Sequence, residues 1–180
     1  VVVTAGNGVG TGSKAVTITI GLVTPVVTSA ATAGGNGGQN FSYQITASNL
    51  PSSFSVTGTL PTGVTVNPGT GLISGIPTQT GSFPVTISAS NGAGTGSQSL
   101  TLTIALVTPS ITSAGTASGT GGQSFSYQIL AGNLPTSYGV VGTLPAGVTL
   151  NPSSGLISGI PTQTGSFPVT ISASNGAGTG

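Results

Sequence analysis

Short runs of alternating apolar and hydroxyl residues recur along the chain. In Val85-Thr86-Ile87-Ser88-Ala89 the apolar positions 85, 87 and 89 fall on one face of an extended strand. Thr86 and Ser88 then point the other way, as a half-buried strand requires. Leu100-Thr101-Leu102-Thr103-Ile104 repeats the arrangement. Turn-forming clusters separate the runs: Asn36-Gly37-Gly38, Leu60-Pro61-Thr62-Gly63, Asn67-Pro68-Gly69-Thr70-Gly71, Ile76-Pro77 and Asn91-Gly92. No stretch shows the 3.6-residue period of a helix. The pattern predicts strands over 26–29, 41–47, 54–59, 64–67, 72–76, 81–90 and 97–104, with a hairpin through the loop 91–96. Short strands at turn spacings near ten residues describe a β-sandwich. Phe41, Tyr43, Phe54 and Phe83 are expected to centre its core.

The same pattern returns with a period of 84 residues. Val23-Thr24-Pro25 recurs as Val107-Thr108-Pro109, and Phe41-Ser42-Tyr43-Gln44-Ile45 as Phe125-Ser126-Tyr127-Gln128-Ile129. Asn49-Leu50-Pro51 recurs as Asn133-Leu134-Pro135, and the segments 71–96 and 155–180 are identical over 26 residues. Thr17-Ile18-Thr19-Ile20 aligns with Thr101-Leu102-Thr103-Ile104 at the same offset. Residues 1–22 are thus read as the last strands of one repeat, 23–106 as a full repeat, and 107–180 as a third without its last strand. The phase of the period implies a window on a longer periodic polypeptide. Only Ala105 to Thr108 separate the last strand of one repeat from Pro109 of the next, too short for a flexible tether, so neighbouring modules are expected to abut.

The run from Gly58 to Thr78 carries a more specific signal. It contains Leu60-Pro61-Thr62-Gly63-Val64, then Asn67-Pro68-Gly69-Thr70-Gly71, then Ile73-Ser74-Gly75-Ile76-Pro77, and the series returns from Gly142 to Thr162. This order of turns resembles the bacterial "putative Ig domain" repeats, relatives of the dystroglycan-type and cadherin-like modules, along the whole chain. The resemblance implies an all-β fold of tandem Ig-like or cadherin-like sandwiches. It also implies an extracellular setting within large surface proteins, adhesins or secreted structural proteins. In cadherin-like relatives Asp and Glu carboxylates hold calcium between domains. This chain has neither residue. Calcium needs several hard, largely anionic oxygens, so no calcium dependence and no metal site are expected.

Composition narrows the chemistry further. The chain has one Lys (Lys14) and no Arg, Asp, Glu, His, Cys, Met or Trp, while Ser and Thr number 25 and 30. General acid–base catalysis needs a group titrating near neutrality, and paired-carboxylate chemistry needs two acids; neither can be built. A Ser or Thr nucleophile would need Lys14 as its base. Lys14 follows Gly10-Thr11-Gly12-Ser13 in what reads as a solvated hairpin turn, and Gln98 occupies its position one repeat later. A Lys–Asn isopeptide link is disfavoured because no carboxylate is present to assist it. Gly6-Asn7-Gly8-Val9-Gly10 lacks the helix and the Lys-Ser/Thr of a phosphate-binding loop. No catalytic residue, metal ligand or cofactor-binding residue is therefore assigned. One N-glycosylation sequon stands at Asn40-Phe41-Ser42, outside the repeat pattern because its counterpart is Ser124-Phe125-Ser126.

A net charge of +1 leaves no footprint for nucleic acid or an anionic membrane. No apolar run is long enough to span a bilayer, so no membrane insertion is expected in this segment. Charge normally keeps proteins soluble and blunts sheet edges. Without it, two outcomes remain open: a glycan coat, or lateral association of identical modules into a fibre. The function expected from sequence is a non-catalytic structural repeat of an extracellular fibre, stalk or surface-layer-like assembly, self-associating into filaments or lateral arrays. The alternative is an adhesin module recognising carbohydrate or another cell. The only aromatic rings beyond Phe are Tyr43, Tyr127 and Tyr138, a thin basis for a sugar platform. Stability should hardly depend on pH, because no side chain ionises between the acidic and the strongly basic ranges. Thermal scans between about pH 4 and pH 9 should give midpoints within about 2 °C of each other. A sloping pH profile would show a titration on folding that this composition does not provide.

Overall fold

In the computed structural model, which describes residues 1–180, every regular element is a strand. The chain opens with an antiparallel hairpin, β1 (Val2–Asn7) and β2 (Gly10–Ala15), turning through Gly8-Val9 and exposed throughout. The full repeat contains β3 (Thr32–Asn36), β4 (Phe41–Gln44), β5 (Ser53–Thr57), β6 (Val64–Val66), β7 (Leu72–Gly75), β8 (Gly81–Asn91) and β9 (Gly94–Ala105). A four-stranded sheet in the order β3-β9-β8-β5 packs against a three-stranded sheet in the order β4-β7-β6. The fold is the expected all-β sandwich.

Alternation decides which side chains fill the space between the sheets. Val85, Ile87 and Ala89 of β8, with Leu100, Leu102 and Ile104 of β9, are all buried. They meet Phe41, Ile45, Val64 and Ile73 from the opposite side. Burial of apolar surface on this scale contributes about 25 cal/mol for each Å² removed from water. The aromatic residues are placed differently from expectation. Phe41 is in the core, whereas Tyr43, Phe54 and Phe83 are half-buried around it, and branched aliphatics form its centre. Close approach of the two turns beside β6 and β7 depends on Gly75 (φ 146°), where a Cβ would fall 2.0 Å from the carbonyl oxygen of Gly63.

Several elements depart from the alternation pattern. The segment 26–29 forms only an isolated bridge, Val27 to Ala47, and the strand predicted over 41–47 ends at Gln44. Ile45 is nevertheless buried. The alternation pattern gives no strand at β3: Thr-Ala-Gly-Gly-Asn has too few apolar side chains to signal one. It forms because its backbone pairs in parallel with β9, Ala33 against Leu102 and Gly35 against Ile104. The loop expected over 91–96 contracts to Gly92-Ala93, with Asn91 paired to Gly94 and the Ala93 N–H donating to Asn91 Oδ1 at 2.8 Å.

The last repeat contains β10 (Ser110–Ile111), β11 (Phe125–Gln128), β12 (Ala131–Gly132), β13 (Ser137–Val141), β14 (Val148–Asn151), β15 (Leu156–Gly159), β16 (Thr170–Asn175) and β17 (Gly178–Thr179). It keeps the sheet β11-β15-β14 and a sheet β13-β16-β17, with β10 paired to β12. Its buried cluster is only Ile129, Val148 and Ile157. The cause is local: residues 107–180 offer no counterpart of Leu100–Ile104, the strand that bridges β3 and β8 in the full repeat. Replacing Leu102 by Ala should therefore destabilise the 23–106 module by about 2–5 kcal/mol, whereas Thr103→Ala on the opposite face should stay within about 0.5 kcal/mol. Urea unfolding of both variants checks this. Equal losses would mean that β9 is not oriented as described.

Candidate functional site: the joint between modules

No group of three or more His, Cys, Asp or Glu that could hold a metal ion is present. Lys14 lies on β2 opposite Val3 rather than in the turn, and it is exposed. Its counterpart Gln98 uses its amide to donate to the carbonyl of Ser29 at 3.0 Å. Asn40 is exposed immediately before β4, next to the buried Phe41. None of these residues is brought near another.

The distinctive geometry lies where the full repeat meets the next one. Asn133 and Leu134 both adopt left-handed backbone (φ 66° and 57°), a conformation costly for a branched residue such as Leu. Side-chain amides hold it. Asn133 Nδ2 donates to the carbonyl of Thr108 at 2.8 Å, and Asn175 Nδ2 donates to the carbonyls of Asn133 and Val107, each at 2.8 Å. Pro135 follows. This turn presents Leu134 to the preceding module's Gly37-Gly38 turn. A Cβ on Gly37 would lie 2.7 Å from Leu134 Cδ1 and 3.0 Å from Thr80 Cγ2, and one on Gly38 (φ 77°) would lie 3.0 Å from the Asn133 backbone nitrogen, so the socket fits closely against the turn. Gln39 Nε2 completes the contact, donating to Asn133 Oδ1 at 2.9 Å.

The socket is anchored to the end of its own module. The Gly37 N–H donates to the carbonyl of Ala105 at 2.9 Å and the Gly38 N–H to that of Pro77 at 2.8 Å. Ala105 ends β9, and Val107 and Thr108 are tied to the next module by the amides just described. The four-residue link is thus bound on both sides.

The same turn occurs one repeat earlier, where residues 1–22 include no Gly-Gly socket. Asn49 and Leu50 form the same left-handed turn (φ 63° and 55°), held by Asn49 Nδ2 on the carbonyl of Thr24 and Asn91 Nδ2 on those of Asn49 and Val23. Nothing is seated against it, and Leu50 is 79% exposed, while Leu134 is half-buried. At the far end, Gly121 is exposed where Gly37 is buried. Each repeat thus carries one projecting Asn-Leu turn and one Gly-Gly socket. The sequence holds the signal, a recurring Asn-Leu-Pro, but alternation does not interpret it.

Residues 107–180 contain no counterpart of Leu100–Ile104, and the space beside Ala117, Phe125, Leu144, Ile157, Phe167 and Ile171 is an open groove of about 900 Å³. The equivalent space in the full repeat is filled by β9. No helix is long and apolar enough to cross a membrane.

None of the curated proteins matches the chain. Solved structures do. A "putative alpha-galactosidase/melibiase" of Bacteroides fragilis is 28% identical over 47% of this chain and 19% of its own length, with a TM-score of 0.43. A second "putative alpha-galactosidase" from that organism is 30% identical over 52% of this chain and 21% of its own, with a TM-score of 0.44. The chain thus spans about a fifth of those proteins. An endo-fucoidan hydrolase of glycoside hydrolase family 107 is 15% identical over 98% of this chain and 32% of its own, with a TM-score of 0.50, a likeness of fold. Residues 24–105 and 108–180 each match the family described as "Putative Ig domain". With two matches that cover most of its length and sandwiches of the corresponding topology, the chain belongs to the "Putative Ig domain" family of Ig-like modules.

Proposed function

We propose that these modules are structural repeats of an extracellular fibre, stalk or surface-layer-like assembly, and that they have no catalytic role. The observation that carries the reading is the joint at Gly37, Gln39 and Leu134. It uses the same two elements on every module and converts a four-residue link into a fixed connection. Each module is entered at Val23, beside the start of β9, and left at Ala105, at its end; β9 has 12 residues. At about 3.3 Å per residue, one module advances the chain by roughly 35–45 Å.

The composition supports the same reading. Acid–base catalysis has no residue to perform it, and a neutral surface suits contact between identical modules better than steering of charged ligands. Asn40, exposed at a turn, is the one place for an N-linked glycan, and the outward Ser and Thr rows offer further acceptors outside the cell.

Electron microscopy of the purified chain should show rods with a repeat of roughly 35–45 Å. Monodisperse rods that bind a glycan array would instead favour an adhesin. The joint itself is tested by Gln39→Ala with Leu134→Ala. Distances between spin labels on the two modules should broaden from a narrow distribution to a wide one. Module stability should change by less than about 1 kcal/mol, the ordinary range for residues outside a core. An unchanged distance distribution would remove the joint as the source of rigidity.

A further inference from the structure

We propose that the outer face of the sheet β3-β9-β8-β5 is a lateral contact surface, and that its partner is the same face of a second copy of this chain. The alternation that buries Val85, Ile87 and Ala89 turns Thr86, Ser88 and Ser90 to the outer side. Each of these three belongs to a row across the sheet in which every residue carries a hydroxyl, because its partners on both β5 and β9 are Ser or Thr. These rows contain no charge, no amide and no ring. Ser88 pairs with Ser97 at 2.9 Å and Ser90 with Thr95 at 2.7 Å. A hydroxyl has one proton to donate and two lone pairs to accept with, so each keeps capacity for a further bond.

Such a face is complementary to itself. Two surfaces of one charge repel, whereas two sets of hydroxyl rows exchange donors and acceptors in either direction. Where β13 of the last repeat differs from β5, Gly139 and Val141 stand in place of Ser55 and Thr57, so the face stays short and uncharged. Val141 is 72% exposed and adds an apolar contact. The sheet edge is less open. The Phe54 N–H donates to the carbonyl of Pro68 and the Tyr138 N–H to that of Pro152, each at 2.8 Å, so β5 and β13 spend part of their outer edge within their own modules. That blunts edge-to-edge pairing and directs association to the face. The outer face is three strands wide along the 11 residues of β8 and presents roughly 500 Å² per module. Two such faces bury about 1,000 Å², the lower bound of a specific interface. Contact at one module is therefore weak and gains strength from repetition along an array. Because one patch serves both partners, the contact is two-fold and sets rods side by side in pairs.

The inference rests on the structural-repeat reading, but the two fail differently: rods that stay single would remove the face contact and leave the stalk intact. The test is sedimentation of the 180-residue chain up to about 1 mM, a range that suits a small interface, with Thr86→Lys and Thr86→Glu beside it. Thr86 is exposed and is the middle residue of β8, close to where a two-fold axis would pass. Mass should rise with concentration in the parent. Either variant alone should associate about tenfold more weakly, because the contact brings like charges together, and a mixture of the two should recover association. Thr65→Lys, an exposed change on the outer side of the other sheet, should leave association unchanged. Urea unfolding of all three variants should match the parent, since each site is exposed. A chain that stays monomeric throughout overturns the proposal. So does association that ignores both charges at residue 86, or a mixture that fails to recover. Binding to a glycan array that Thr86→Lys abolishes, with no self-association, would give the face to a sugar instead.

Discussion

The architecture depends on one strand inserted between two others. β9 pairs with β3 on one side and β8 on the other, and it places Leu100, Leu102 and Ile104 in the centre of the core. Residues 107–180 contain no counterpart of Leu100–Ile104, and their core shows the difference. With β9 present, eleven residues form a single buried cluster; in the repeat with no counterpart of that strand, three do. The loss is not confined to the strand's own side chains. β3 has no counterpart strand, and β16 begins at Thr170, several residues later than β8 does by equivalence. Pairing and burial are cooperative here, because a Gly-rich strand has no reason to be extended until a neighbour takes up its hydrogen bonds.

With no ion pairs to orient side chains, hydroxyl groups provide the outer polar contacts. Ser88 meets Ser97 at 2.9 Å and Ser90 meets Thr95 at 2.7 Å across β8 and β9, and Thr28 meets Thr46 at 3.1 Å. Asn and Gln do the longer-range work. Asn91 and Asn175 each join a hairpin to two carbonyls far away in sequence, and Gln44 and Gln128 bind the turns at Thr70 and Ser154. These groups keep the same charge at any ordinary pH, so the network does not change with acidity.

Much of this was legible in the sequence, because alternation and turn residues report directly on which face of a strand is buried. The period, the sandwich and the strands of Val85–Ala89 and Leu100–Ile104 follow from it. β3 did not, because Thr32–Asn36 is specified by its neighbour's backbone and not by its own side chains. The aromatics depart from expectation for a related reason: ring size suggests a central position, whereas Phe54 and Phe83 close the margins of a core made largely of Ile, Leu and Val. The joint was visible only as a recurring Asn-Leu-Pro. Its meaning lies in a positive φ at a leucine, which no hydrophobic pattern encodes.

The parallel pairing of β3 with β9 has a mechanical consequence. Tension along an array of these modules enters at Val23 and leaves at Ala105, along the axis of β9 itself. The load then falls in shear on the hydrogen bonds that β9 makes with β3 and β8, so many bonds must yield together. A hairpin pulled open from its end would instead release them one by one. The strand that completes the core is also the one placed to bear force, and a neutral rod of such modules would resist stretching through its backbone ladder.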